Sequence, residues 1–245
     1  MLWISSILCV IAIASAHWLA DKVANRPDRE QMRWASFGGG AGIAYVFVHL
    51  LPELASHGQA LSEAPGMESF APTPITEALL FLIALAGIIV TYSTDVLATH
   101  ERQAGRIAGS LHTLHFAAIS YLYAYSLPSL ISTGLAYGIL FTIAISAHVL
   151  LADRTMAAQH PAIFRTRMRW LGTAALALGL LHAALLHPVA DLHLAIATAY
   201  LGGGLLMAVF REELPAVNRT RLGWFVAGAA SMTSLLLLAL TQAAH

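Results

Sequence analysis

The sequence predicts an all-α polytopic membrane protein of eight transmembrane helices, with spans 1–3 repeated in inverted orientation as spans 6–8 around a central pair, spans 4 and 5. Three observations lead there. Of 245 residues, 58% are hydrophobic and only 11% charged, with a mean hydropathy of +0.70. A soluble domain carries roughly 25% charged residues, so an ordinary cytosolic enzyme, a disordered chain and a nucleic-acid binder are all excluded. Eight stretches come close to the length of about 20 mostly apolar residues that a helix needs to cross hydrocarbon. Finally, the 13 basic residues, 1 Lys and 12 Arg, fall in four clusters separated by apolar sequence.

The spans run over about 2–20, 34–54, 76–97, 108–127, 135–153, 170–187, 192–210 and 223–242. Span 1 contains Ala14-Ser15-Ala16, which resembles a signal-peptide cleavage site. A signal peptide has its basic segment before the apolar run; here the basic cluster follows, so span 1 is expected to be retained. Span 2 opens on Gly38-Gly39-Gly40 and closes on Pro52-Glu53. Residues 55–75, with Pro65, Gly66, Pro72 and Pro74, read as one long irregular outer loop. Short turns at Pro128 to Gly134 and at His187 to Asp191 should make antiparallel hairpins of spans 4–5 and 6–7. Cys9 stands alone in an apolar run, which excludes an intramolecular disulfide and reads as core packing.

The loops give the direction. Lys22, Arg26, Arg29 and Arg33 follow span 1; Arg102 and Arg106 follow span 3; Arg154, Arg165, Arg167 and Arg169 follow span 5; Arg211, Arg219 and Arg221 follow span 7. The alternate loops carry Glu63, Glu68, Glu77 and Asp191 instead. Cytoplasmic loops retain Lys and Arg, so odd-numbered spans run inward and both termini lie outside. The expected location is the cell membrane, the bacterial inner membrane in particular, with the lipid bilayer as surroundings and a homodimer left open.

Two segments resemble each other. Phe37-Gly38-Gly39-Gly40 leads through Ala44 and Phe47 to Leu51-Pro52-Glu53, and Leu201-Gly202-Gly203-Gly204 leads through Ala208 and Phe210 to Leu214-Pro215. They lie on spans of opposite direction. Paired Gly-interrupted spans of opposite orientation suggest an inverted repeat, an arrangement common in transporters whose substrate site lies near mid-membrane. Alternatively, triple glycine only permits close helix contact.

Ionisable groups at membrane depth are costly, about 2.5–3.5 kcal/mol on insertion scales, and mark functional sites. Here histidine dominates: His49, His112, His115, His148 and His182, with Glu53, Asp95 and Asp153 nearer the span ends. Neutral imidazole crosses hydrocarbon at lower cost than a charge and ligates zinc, copper, nickel and iron(II). His49 and Glu53, four apart, share a face of span 2. The span 4–5 hairpin should bring His115 and His148 to similar depth, with His112 and Asp153 below them. The resulting expectation is a ladder of His49/Glu53, His115/His148 and His112/Asp153 along a path for a divalent cation. His182 is a less defined member of the set. His17, His57, His100, His160 and His245 read as interfacial or loop residues, and Tyr121, Tyr123 and Tyr125 as interfacial anchors.

The run from Ser36-Phe37-Gly38-Gly39-Gly40 through Phe47-Val48-His49-Leu50-Leu51-Pro52-Glu53 resembles the second transmembrane helix of the ZIP family of divalent-metal transporters, with its glycine-rich entry and His-Leu-Leu-Pro-Glu ending. Residues 82–99 resemble the family's third helix more loosely, and residues 201–215 its seventh. The resemblance implies eight spans, both termini outside and a transport site on helices 4 and 5, where a His is followed four residues on by Glu. His115 and His148 match the two histidines, but Ile119 and Ala152 stand where the glutamates would be, and neither helix has the family's proline there. What remains is a histidine-rich site of lower charge, with Asp153 or Glu53 as carboxylates.

Three functions follow as alternatives. The first is a ZIP-like carrier moving zinc or a similar divalent cation into the cytoplasm; it is not an enzyme and holds no cofactor, the metal being cargo. The second is a transport-deficient relative acting as sensor or membrane partner, as the missing glutamates suggest. The third is an intramembrane metal-dependent hydrolase, disfavoured because the available His spacings do not form the one-face i, i+4 pair such sites often use.

Overall fold

The structure, a computed structural model, describes residues 1–24, 28–62, 74–99, 101–187, 191–213 and 220–243. Among these the chain forms eight long helices and no strand. They are α1 (Leu2–Ala24), α2 (Asp28–Tyr45, continuing through a π-helical turn Val46–Leu50 into Leu51–Ser62), α3 (Pro74–Thr99) and α4 (Glu101–Thr133). After them come α5 (Leu135–Gln159), α6 (Pro161–Ile163, a π turn Phe164–Met168, then Arg169–Leu185), α7 (Asp191–Ala208 with a π turn Val209–Glu213) and α8 (Leu222–Ala243).

Every helix but α4 contains a stretch long and apolar enough to cross a membrane, from Leu2–Val23 to Leu222–Thr241. Large apolar side chains cover the outside: Ile4, Leu8 and Ile11 on α1, Leu82, Leu85 and Ile89 on α3, Leu235, Leu237 and Leu238 on α8. Such a surface would be untenable in water and suits hydrocarbon. The molecule is a polytopic membrane protein. The 33-residue α4 is long enough to cross but is diluted by His112, Thr113, His115, Ser120 and three tyrosines. It packs against α1, α3, α5, α6 and α7, and Ser120, Tyr123 and Tyr125 are buried there.

Several boundaries differ from the sequence expectation. Pro128 does not end span 4, because α4 runs through it to Thr133 and the hairpin turns at Gly134 alone. Proline removes one backbone bond, a loss that buried membrane helices tolerate. Residues 55–62 continue α2, while 63–73 of the expected loop lie outside the described residues. The segment between spans 5 and 6 is nearly all helix, broken at His160, whose non-helical backbone (φ −132°, ψ 61°) precedes Pro161 at the first position of α6.

The most extensive packings pair α2 with α8, α3 with α7, α1 with α5 and α4 with α6. Exchanging α1 with α6, α2 with α7, α3 with α8 and α4 with α5 maps these pairings onto one another, the pattern expected of an inverted repeat. Glycine fixes its register. A Cβ at Gly40 would overlap the Phe225 carbonyl, and one at Gly228 the Phe37 carbonyl, so α2 and α8 meet backbone to backbone. Gly203 meets the Ala84 carbonyl and Gly87 the Tyr200 carbonyl in the same reciprocal way between α7 and α3. An offset of 163 residues carries Phe37, Gly40 and Val46–Leu50 onto Tyr200, Gly203 and Val209–Glu213. The equivalence of the glycine triplets is therefore shifted by one: Gly40 corresponds to Gly203 rather than to Gly204.

Candidate functional site

Between these pairs lies a cavity of about 620 Å³. Its wall is built by the halves of α1, α3, α4, α5 and α7 nearest the basic clusters, so it occupies one end of the bundle, called here the basic end. Exposed His160 and Thr155 stand at its rim. His112, His115 and Tyr123 enter from α4, His148 and Asp153 from α5, His17 from α1, Thr91 and Asp95 from α3, and Arg211 from α7.

The expected meeting of His115 and His148 is met to this extent: both line the same cavity. His115 is held on both ring nitrogens, with Thr91 Oγ1 3.1 Å from Nε2 and the Tyr200 hydroxyl 3.4 Å from Nδ1. One ring nitrogen must donate and the other accept, so a metal at His115 displaces one partner, Tyr200 being the weaker. His148 is buried with its ring edge-on to Tyr123, the centroids 6.5 Å apart. Tyr123 is thus a cavity wall residue rather than an interfacial anchor.

The expected His112/Asp153 pair does not form. Asp153 Oδ2 lies 2.6 Å from His17 Nδ1, a contact buried to 3% and 1% residue exposure. The expectation placed Asp153 from the α4–α5 hairpin alone, whereas α1 packs along α5 and brings His17 to it. A buried carboxylate needs such a partner. His17, read from the sequence as interfacial, sits against Gly172 of α6, where a Cβ would come within 2.6 Å of Nε2, and edge-on to Phe116. His112 instead shares with Arg211 the electrostatic surroundings of Asp95. Its Nδ1 is buried without a hydrogen-bond partner, and Arg211 Nη1 is 3.3 Å from Asp95 Oδ2.

His49 and Glu53 lie apart from this cavity. His49 Nε2 is 3.4 Å from Glu53 Oε2, as their i, i+4 spacing predicts, and the ring stacks on Tyr137 at 5.2 Å and 8°. Glu53, Ser126, Ser129 and Thr198 border a second space of only about 60 Å³, room for a few waters at most. His182 is also outside the large cavity, on the α4–α6 seam, where it is hydrogen-bonded to the Tyr121 hydroxyl and packs against Tyr125.

Among the described residues no three His, Cys, Asp or Glu side chains converge as a ready metal site. What the cavity offers is pairs: a carboxylate or hydroxyl beside an imidazole, distributed over two walls. Sequence reasoning missed His17, Asp95 with Arg211, Tyr123 and Thr91. The one available signal was that Asp153 and Asp95 at membrane depth each demand a cationic or hydrogen-bonding partner, which spacing along a single helix cannot supply.

Fold and cavity together define a polytopic membrane protein with a chamber at its basic end into which histidine, aspartate and arginine side chains project. The chain matches no protein-family model and no curated protein.

Proposed function

We propose that the protein is a divergent ZIP-like carrier that moves zinc or a similar divalent cation down its gradient into the cytoplasm. The observation that carries the reading is the chamber lined by His112, His115 and His148 on the central helices of an inverted repeat. The family resemblance at His49 to Glu53 supports it. In this reading the basic end is cytoplasmic, as the Lys and Arg clusters require. The protein then lies in the cell membrane with both termini outside, in a state open inward and closed at the His49/Glu53 end. Purified protein in liposomes loaded with a zinc-sensitive dye should show uptake. His115→Ala and His148→Ala should each lower the initial rate by about tenfold or more, the scale of losing one metal ligand or its support. Unchanged flux in both variants would remove this path.

A second reading is favoured by the missing glutamates and by the lack of a three-ligand cluster among the described residues. It makes the chain a transport-deficient relative that senses a cation or serves another membrane protein. The same liposomes decide: robust zinc flux rejects it.

A further inference from the structure

Arg211 is out of place in a cation path. It is a guanidinium in the wall of the chamber, held by the π turn that ends α7, with Asp95 3.3 Å away and Tyr92 under its plane at 5.6 Å. A fixed positive charge here repels the cargo the chamber would carry, unless it has a task of its own. Its setting suggests one. Asp95 is mostly buried, and a carboxylate in such a place requires a cation of some kind. His112 acts on the same carboxylate and has a buried Nδ1 with no hydrogen-bond partner. Carboxylate plus free imidazole nitrogen is a half-shell that suits a borderline divalent ion with water completing its coordination.

We propose that Asp95 and His112 form a divalent-cation site at the basic end of the chamber, and that Arg211 is its built-in competitor, neutralising Asp95 when the ion is absent. The proposal rests on the carrier reading and adds a release device to it. An entering ion displaces the guanidinium from Asp95, and the tethered guanidinium, always near, returns and expels the ion. Tyr92 gives the displaced cation a face to rest on. The exchange swaps one cation for another on a single carboxylate and breaks no covalent bond. The π turn matters because it sets where Arg211 projects; such turns occur often at functional positions.

The test is zinc binding to the purified full-length protein, by equilibrium dialysis, alongside dye-reported flux in liposomes. Arg211→Gln should tighten zinc binding by about tenfold while slowing turnover, because the competitor is gone and release is impaired. Arg211→Lys should lie between that variant and the wild type. Asp95→Asn with Arg211→Gln, and His112→Ala with Arg211→Gln, should each abolish the gain. Gel filtration and helical circular dichroism of each variant show that it is folded; should Arg211→Gln fail to fold, Arg211→Lys and His112→Ala carry the comparison. Arg211 variants that are folded but bind zinc no more tightly than the wild type would overturn the proposal. So would a tightening that survives in the double variants. Absence of zinc flux in the wild type would instead sink the carrier reading, and the binding series would still judge the site.

Discussion

At 2.6 Å the His17–Asp153 contact engages, on the chamber wall, a carboxylate that sequence spacing assigns to His112. The two residues are 136 apart in the chain, and spacing arguments work only within a helix or across a short turn. His49 and Glu53 are legible for the opposite reason, since four residues on one helix place two side chains on one face whatever the rest of the chain does. The consequence for Asp153 is energetic. Asp153→Ala should lower stability by about 2–3 kcal/mol, since it leaves both nitrogens of a buried imidazole without partners. His17→Ala should cost a comparable amount. The double variant should cost clearly less than the two together, as expected for residues in direct contact. Thermal unfolding in detergent measures all three, and strict additivity would show that the pair is not a unit.

Helices were legible where composition alone decides them and less so where packing decides. All eight spans announce themselves by apolar content, but the length of α4 does not: its Pro128 reads as a turn, and only close packing on several sides lets the helix continue to Thr133. The glycine triplets are visible as a repeat, yet their register was not, because three identical residues align equally well in neighbouring registers. The backbone contacts of Gly40, Gly87, Gly203 and Gly228 choose between them. These four positions should be intolerant as a set. Gly203→Ala, with its Cβ driven into the Ala84 carbonyl, should cost about 1–3 kcal/mol by overpacking. Gly223, with nothing within 4 Å of an added Cβ, should accept alanine with a gain of up to about 1 kcal/mol. Melting temperatures of the two variants in one detergent should move in opposite directions.

For the whole molecule, the two spaces differ tenfold in size, about 620 Å³ at the basic end and about 60 Å³ beside Glu53, as the inward-open reading expects. The native chain has a single cysteine, Cys9, and it is buried, so an introduced thiol reports its own surroundings. Ala152→Cys, on the chamber wall, should react with a water-soluble maleimide added at the basic face and be slowed by zinc. Leu238→Cys, on the lipid-facing surface, should react poorly. Equal labelling of the two would mean that water does not reach the chamber. The histidines of its lining, His112, His115 and His148, were legible in the sequence, but the volume was not, since five helices, α1, α3, α4, α5 and α7, enclose it together.

The polarity of α4 has a bearing on how the molecule is made. Among the eight helices α4 is the one without a stretch as apolar as the rest, so it gains less from contact with lipid as it leaves the ribosome, and His115 would find hydrocarbon without its partner Tyr200 of α7. Its neighbours α1 and α3 precede it in the chain, but α5, α6 and α7 follow. Stable residence of α4 in the bilayer therefore depends on helices not yet synthesised when it emerges, so the central helix becomes secure only after α7 has been made.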